Sequence, residues 1–311
     1  MELLKGFDLV TVRIQGGLGN QLFQLAAGYY VSMQNDQNQM TLDVSRIPFG
    51  TDATRRLQLR NFQLLPPEFK VEIIGERIAK FAQHLPRRTA SQLIHGYSLI
   101  SDSIIHRKRN IFVDDKESHS LKSLSSDTTL HGYFNDFDIV SKAEKFGFLR
   151  NLELNFEPTQ RIRESLRNLD LESSVALHVR LGDYLKYPHI FGNLSENFYL
   201  ECLKHLEVNT SDQIVIFSDQ PNKVANLLPN ISGRSKTTIF REPNGTASFE
   251  TFYVMSQFQR IVCANSTFSM WAAWFNDVNG DSKRVTVPSP YLLNEKDMNT
   301  PASWIRIPRI K

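Results

Sequence analysis

Residues 175–184 read Val-Ala-Leu-His-Val-Arg-Leu-Gly-Asp-Tyr. Their first half, residues 175–179, is an apolar run of strand length without a polar face. Such runs are typical of strands that are buried on both sides, as in a parallel sheet. Gly182 and Asp183 then predict that the chain turns as it leaves this strand.

The rest of the second half repeats this pattern. Four further apolar runs of strand length lie at residues 214–217, 237–240, 260–264 and 284–287. Helical patterns lie between them: Tyr199, Cys202 and Leu206 keep the spacing of one helix face, and a second such stripe begins at Phe249. Strands that alternate with helices predict a doubly wound α/β domain.

The first half begins with the same alternation. Residues 9–14 and 41–44 are predicted strands around a helix at 20–33, residues 68–85 a further helix, residues 128–134 a strand and residues 136–146 a helix. The polar stretch at residues 155–159 marks the best domain boundary. We therefore predict two Rossmann-like domains, residues 1–157 and 158–311, that face each other across a ligand-binding cleft.

The composition is that of an ordinary folded protein, with 41% hydrophobic and 22% charged residues. The formal net charge of +3 is too small to predict nucleic-acid binding. No apolar run is long enough to cross a bilayer, and Glu2, Lys5 and Asp8 interrupt any signal-peptide core. Cys202 and Cys263 are predicted to be buried free thiols. These features predict a cytoplasmic protein, at most peripheral at the inner membrane face.

A glycine-rich segment, GGLGNQ at residues 16–21, stands between the first strand and the first helix. Glycines there let the backbone approach a ligand closely, and a helix start offers unpaired N–H groups and a positive dipole end. A dinucleotide fingerprint needs a third glycine where Leu22 stands, although Asp43 imitates the acid that binds a ribose. A tight turn that the glycines merely permit is the alternative.

His178 and Arg180 leave a buried strand two residues apart, so their side chains share one side. Arg suits a phosphate because its planar fork donates two hydrogen bonds. Without a role, both side chains would cost desolvation free energy in an apolar strand, which favours function. The alternative is an Arg180–Asp183 ion pair that caps the end of the strand.

A third segment combines a buried strand with small hydrogen-bonding residues, Asn265, Ser266 and Thr267, where an apolar helix begins. Such residues are good N-caps, which is a purely structural interpretation. The same junction is also an anion site, because hydroxyls and helix N–H groups point one way. Trp271 and Trp274 are predicted to lie in the core, since this helix is apolar all round.

The candidate metal site is the triplet Asp136-Phe137-Asp138. It falls at a predicted helix N-terminus, where Asp is favoured as a cap and by the helix dipole, so we predict a structural role and no metal.

The three segments, in this order, resemble the α-1,2-fucosyltransferases of glycosyltransferase family 11. That family carries a GGLGNQLFQ-type start, a central H-x-R-R-G-D-Y and a late A-N-S-[ST]-F-S-W-W-[AG]-A-W. Here they read GGLGNQLFQLA (16–26), HVRLGDY (178–184) and ANSTFSMWAAWF (264–275). Weaker echoes at residues 42–43, 131–134, 193–199 and 217–219 extend the likeness over nearly the whole chain.

The resemblance implies a GT-B-like α/β fold and inverting transfer of L-fucose from GDP-β-L-fucose to the 2-hydroxyl of a galactoside, without metal or other cofactor. The acceptor would be a galactose-terminated oligosaccharide or glycolipid bound by the N-terminal domain, with GDP-fucose in the C-terminal domain. Arg180 would hold the β-phosphate and Asn20 would lie near the donor sugar. Leu181 and Met270 depart from the family pattern. The first departure weakens donor binding if that position faces the ligand, and changes nothing if it faces away.

From these patterns we predict Arg180, Asp183 and His178 as catalytic residues. The predicted donor-binding residues are Gly16, Gly17, Asn20, Gln21, Arg180, Asn265, Ser266, Thr267 and Ser269. Asp183, His189 and Glu250 are the unranked candidates for a general base. The alternatives are an NAD(P)-dependent oxidoreductase that uses Gly16–Gly19, a metal-dependent glycosyltransferase that uses Asp136 and Asp138, and a non-catalytic glycan-binding module.

Overall fold

The chain forms two compact units. The computed structural model describes residues 9–47, 56–82, 84–104, 110–113, 121–155, 157–182, 184–185, 187–241, 248–277, 283–293 and 297–309. Unit 1 comprises Met1–Arg60 and Leu65–Leu149, and unit 2 comprises Asn61–Leu64 and Arg150–Lys311. This division precedes the predicted one at 157/158 because the chain after Leu149 already pairs within unit 2.

The described elements are, in chain order up to residue 149, β1 (Thr11–Arg13), α1 (Leu18–Gln34), β2 (Gln39–Asp43), β3 (Phe62–Gln63), β4 (Lys70–Ile74), α2 (Glu76–Ala82), α3 (Arg87–Ile104), β5 (Asn110–Val113), β6 (Thr128–His131) and α4 (Phe137–Glu144). They continue with β7 (Glu153–Leu154), α5 (Gln160–Arg167), β8 (Ser174–Val179), α6 (Glu196–His205), β9 (Gln213–Ser218), α7 (Pro221–Leu227), α8 (Pro229–Ser232), β10 (Thr237–Ile239), α9 (Ser248–Ser256), β11 (Arg260–Val262), α10 (Thr267–Trp274), β12 (Arg284–Ser289) and β13 (Ile305–Pro308). The short strands β3 and β7 pair antiparallel inside unit 2.

Unit 1 is built on a parallel sheet with the strand order β4-β2-β1-β6-β5. Helix α1 crosses it closely at Gly28, where a Cβ atom would clash with Val12 Cγ2 and lie 3.1 Å from Met40 Sδ. In dinucleotide-binding folds the third glycine of the fingerprint serves this close helix–strand packing. Here that function falls on Gly28, and the position of Leu22 is filled by a buried core side chain.

The predicted helix at residues 68–85 is wrong in its first part. Lys70–Ile74 is the edge strand β4, paired only with β2 among the described strands. Gly75, with a φ of 82°, turns the chain, and the helix α2 begins at Glu76. The half-exposed side chains of an edge strand leave too weak an alternation to separate strand from helix.

Unit 2 contains a parallel sheet with the order β10-β9-β8-β11-β12-β13. This is the 3-2-1-4-5-6 order of the doubly wound Rossmann fold. Val175, Leu177 and Val179 on one face of β8 pack against Phe198 and Cys202 of α6 in the core. The predicted α/β class with two Rossmann-like units is confirmed.

Both cysteines, Cys202 and Cys263, are free and buried, as predicted. Within the described ranges, no helix is both long enough and apolar enough to span a bilayer.

Candidate active site

The strand order of unit 2 creates a switch point between β8 and β11. The chain runs outward from β8 to β9 and β10, and then returns to the other side of β8 with β11. Ligands of such sheets bind outside the carboxyl ends of the strands at this point. Val179 pairs with Ser218, so Arg180, Asp219 and Asn265 leave three neighbouring strands at one edge.

Asp219 holds Arg180 and the turn that follows it. Arg180 Nη1 donates to Asp219 Oδ2 at 3.0 Å. The backbone N–H groups of Leu181 and Gly182 donate to the two carboxylate oxygens at 2.9 Å each. Gly182 permits this approach, because a Cβ atom there would clash with Asp219 Oδ2. The ion pair with Asp183 that the sequence left open lies outside the described residues.

His178 is buried and electrically neutral at pH 7. Its ring stacks on Phe268, with 5.6 Å between ring centroids and 30° between ring planes. Burial, and secondarily the charge of Arg180, lowers the pKa of His178 to about 3. Its Nδ1 atom is buried and has no hydrogen-bond partner in the described structure, whereas buried nitrogens of native proteins usually have one.

Tyr184 and Phe191 connect the loop after β8 to the end of β11. Their rings stack in parallel at 4.1 Å, and the Arg180 guanidinium lies over the Tyr184 ring at 5.7 Å. Tyr184 Oη donates to the Asn265 carbonyl at 2.6 Å. The Phe191 carbonyl accepts from Asn265 Nδ2 at 2.9 Å and from Arg309 Nη2 at 2.6 Å. Arg180 is therefore tied to the segment that begins α10.

At the N-terminus of α10, no acidic side chain of the first turn offsets the positive end of the helix dipole. Ser266 is the N-cap residue with extended backbone, its side chain makes no capping hydrogen bond, and the first turn carries no acid. Thr267 is half-buried. The Ser269 hydroxyl donates to the Ser266 carbonyl at 3.1 Å, so it serves the helix itself. The first-turn N–H groups and the Ser266 and Thr267 hydroxyls are the donors that suit an anion.

Residues 9–305 match the family model described as glycosyl transferase family 11. The chain belongs to glycosyl transferase family 11. Two relatives from Escherichia coli align with this chain over nearly its full length and nearly their own. The O-antigen biosynthesis glycosyltransferase WbnK is 26% identical, over 94% of this chain and 99% of the relative. An alpha-1,2-colitosyltransferase is 25% identical, over 96% and 99%. The predicted family is thus confirmed, and the family 11 chain is a glycosyltransferase rather than an oxidoreductase.

Solved structures similar to this family 11 chain are distant. The fucosyltransferase NodZ from Bradyrhizobium matches with a TM-score of 0.46 at 12% identity, covering 85% of this chain and 92% of NodZ. The ADP-heptose heptosyltransferase II of Escherichia coli matches with a TM-score of 0.47 at 12% identity, covering 96% and 90%. These similarities are too weak to support any conclusion on the site.

The glycine-rich segment of this family 11 chain lies at the carboxyl end of β1, at the switch point of unit 1 between β1 and β6. Gly16 has a φ of 82°, and a Cβ atom there would lie 2.7 Å from Asn20 Nδ2. A Cβ at Gly17 would meet nothing within 4 Å, and its φ of −80° suits any residue. The fold therefore explains Gly16 and leaves Gly17 available for a ligand's close approach.

Gln21 is fully buried and serves the backbone. Its Nε2 donates to the carbonyls of Gly16 at 3.1 Å and Arg56 at 2.9 Å, and its Oε1 accepts from Gln58 N at 3.0 Å. These bonds fasten the segment around residues 56–58 to the start of α1. Its predicted contact with the donor remains a prediction, as does that of the half-buried Asn20.

The acids that were considered for metal or ribose have structural partners. Asp136 is the N-cap of α4, and its Oδ1 accepts from Asp138 N at 2.8 Å. Asp43 is buried, and its Oδ1 accepts from Ser45 N at 3.0 Å. In the described parts of the chain, no three His, Cys, Asp or Glu residues come together in a metal-binding group.

The candidate bases have different surroundings. Asp183 lies outside the described residues. Glu250 is buried and accepts from Thr159 Oγ1 at 3.0 Å, which connects α9 to the start of α5. His189 is exposed on the loop after β8, and it is the described candidate with access to solvent.

The two departures from the family pattern point into the core. Leu181 is 4% exposed and packs with Val179 and Phe198, and Met270 is 1% exposed in α10. An additional Arg at position 181 would therefore face away from the Arg180 side of the strand. The burial of Leu181 supports the expectation of no effect on donor binding, which stays a prediction.

Sequence reasoning did not single out Asp219 or Arg309 for the site. Asp219 entered only as part of a weak echo of the family pattern. The available signal was its position directly after a buried strand, which places an acid at the ligand-binding edge of a parallel sheet. No comparable signal marks Arg309, which comes from the chain end.

Proposed function

We propose that this enzyme transfers L-fucose from GDP-β-L-fucose to the 2-hydroxyl of a galactoside, with inversion to an α-1,2 linkage and without metal or other cofactor. The observation that carries the proposal is the convergence of Arg180 with the uncapped start of α10. It rests on the Tyr184–Asn265 hydrogen bond at 2.6 Å and the His178–Phe268 stack. A guanidinium next to a helix N-terminus suits a diphosphate.

Departure of GDP develops negative charge on the β-phosphate while the fucose becomes oxocarbenium-like. Fixed donors that meet this charge stabilise the transition state, and a single one is worth about 3 kcal/mol when it acts mainly there. Arg180, the hydroxyls of Ser266 and Thr267, and the α10 N–H groups form this set. The neutral His178 imidazole, with one donor and one acceptor nitrogen, suits ribose, phosphate or the edge of the base.

Unit 2 is accordingly the proposed donor domain and unit 1 the proposed acceptor domain. Gly16, Gly17 and Asn20 stay predicted donor-binding residues. The acceptor hydroxyl loses its proton to Asp183 or His189. An oxocarbenium-like transition state makes a modest demand on this base. We further propose a cytoplasmic enzyme that modifies a surface-glycan precursor or a free oligosaccharide.

GDP-colitose is a second candidate donor, because one relative is an alpha-1,2-colitosyltransferase. Colitose is L-fucose without its 3-hydroxyl. A site that hydrogen-bonds this hydroxyl rejects the deoxy sugar by about 10⁴-fold, whereas a site with apolar contacts there accepts both. The donor preference therefore reports whether the protein binds that hydroxyl.

The test is incubation with GDP-fucose or GDP-colitose and a panel of β-galactosides, followed by NMR assignment of the linkage. We expect an α-1,2-fucosyl product, unchanged turnover after chelation, and a loss of at least about a hundredfold in Arg180→Ala. Arg180→Lys, which keeps the charge but not the planar fork, should fall between. A different linkage, a requirement for Mn²⁺, or normal turnover by folded Arg180→Ala would each overturn the proposal.

A further inference from the structure

The helical hairpin of unit 1 carries an acid-free basic segment. Residues 77–101 contain Arg77, Lys80, Arg87 and Arg88 but no Asp or Glu, whereas the whole chain is nearly balanced, with 36 Lys and Arg against 33 Asp and Glu. The segment covers most of α2 and α3. Its positive charge is therefore local and does not reflect the overall composition.

The two helices pack on each other through Ala82, Ala90 and Ile94. The outer side of α2 presents Arg77, Lys80 and Phe81, which are neighbours on the helix surface at i, i+3 and i+4. Phe81 is 59% exposed, the highest value among the exposed large hydrophobic residues in the described part of the chain. We call Arg77, Lys80, Phe81, His84 and Arg88, all exposed, the hairpin face.

The cations of the hairpin face have no anionic partner inside the described protein. No ion pair involves Arg77, Lys80 or Arg88 in the described ranges. Several basic residues elsewhere are paired, for example Arg60 with Glu76 at 2.7 Å and Arg260 with Asp212 at 2.9 Å. Unpaired cations around an exposed aromatic ring form a surface that is complementary to an anionic surface with an apolar layer beneath it.

We propose that the hairpin face docks this enzyme on an anionic lipid bilayer. Arg77, Lys80 and Arg88 contact the phosphate headgroups, and Phe81 enters the boundary between headgroups and acyl chains. Basic residues around an apolar side chain on a surface helix have this preference. The proposal is independent of the donor sugar. The exposed Phe81 favours a bilayer over nucleic acid, and the small net charge of the chain agrees with that choice.

The test is flotation of the full-length enzyme with vesicles of phosphatidylcholine alone or with one-third phosphatidylglycerol. We expect binding to the anionic vesicles only, and release at about 0.5 M salt, where the screening length falls to a few ångströms. Each basic residue near an anionic surface strengthens binding by about fivefold, so Arg77→Gln/Lys80→Gln/Arg88→Gln should weaken it by roughly a hundredfold. Phe81→Ser should weaken it by about tenfold.

The matched control is Lys145→Gln/Lys223→Gln/Arg234→Gln, which removes the same charge from exposed residues outside the hairpin. It should bind vesicles within about threefold of wild type. The Arg77→Gln/Lys80→Gln/Arg88→Gln variant should keep its melting temperature and its turnover of water-soluble galactosides. Equal binding to both vesicle types, equal losses in the two triple variants, or displacement from vesicles by a duplex oligonucleotide at fixed ionic strength would overturn the proposal.

Discussion

Removal of the Asp219 carboxylate should uncouple Arg180 from the sheet edge. The carboxylate accepts three N–H donors, from the Arg180 side chain and from the backbone of Leu181 and Gly182. The side chains of Arg180 and Asp219 are 29% and 23% exposed, so water replaces only part of what is lost. Hydrogen bonds to a charged group contribute about 1.5–3 kcal/mol each when they are well shielded.

Because solvent screens both side chains, the loss should be smaller than the sum of three such hydrogen bonds. We expect Asp219→Ala to lower kcat/KM for the donor by about thirtyfold, or ~2 kcal/mol. The decisive assay is a double-mutant cycle with Arg180→Ala. If Asp219 acts by positioning Arg180, its removal costs little once Arg180 is absent, and a coupling free energy of about 1–2 kcal/mol appears.

The chain offers a matched control at the opposite edge of the same sheet. Asp212 pairs with Arg260 at 2.9 Å, and their side chains are only 10% and 14% exposed. Asp212→Ala should lower the free energy of unfolding and leave kcat/KM unchanged per folded molecule. The positioning role of Asp219 is refuted if its substitution reduces kcat/KM equally with and without Arg180, or if Asp212→Ala reduces it as much.

Further predictions concern the glycine-rich segment, pH and metal. Gly17→Ala should keep the melting temperature but raise KM for the donor, because its Cβ meets no described neighbour; Gly16→Ala should instead destabilise by about 1–2 kcal/mol, because its φ is positive. Because the pKa of His178 is lowered to about 3 in the folded protein, the free energy of unfolding should fall by about 2 kcal/mol from pH 7 to pH 5. The unfolded chain binds a proton below about pH 6.5 and the native chain does not, so denaturant titrations of His178→Gln should lack this slope. Asp136→Asn should lower the melting temperature slightly, and chelator-treated enzyme should transfer at the same rate with either residue.

The sequence was sufficient for the fold class because the central strands are apolar on both faces. β8, β9 and β11 coincide closely with predicted runs, since strands inside a parallel sheet have no exposed face to obscure them. For the opposite reason, the sequence pattern of the edge strand β4 predicts a helix, because its side chains are half-exposed. The close passage of α1 over the sheet at Gly28 also escaped prediction, because it depends on the distance between a helix and two strands.

For the site, the sequence identified residues at two strand ends but not their partners. Arg180 was a candidate because of its chemistry, and Asp183 was its considered partner because of its proximity in the chain. The observed partner, Asp219, directly follows the neighbouring strand β9. The order of parallel strands is decided by tertiary packing, so a contact between β8 and β9 cannot be read from local pattern.

The alternation of side chains along β8 places core residues on one face of the strand and candidate site residues on the other. Val175, Leu177, Val179 and Leu181 share the face of β8 that is covered by α6. His178 and Arg180 lie on the other face, because successive strand residues point to opposite sides. Beyond the last strand residue this alternation continues as far as Leu181, and Asp219 fixes the backbone there through two N–H groups. The same carboxylate therefore keeps Leu181 in the core and Arg180 at the sheet edge. A cation at position 181 would have to break this register to reach the side of the strand on which Arg180 lies.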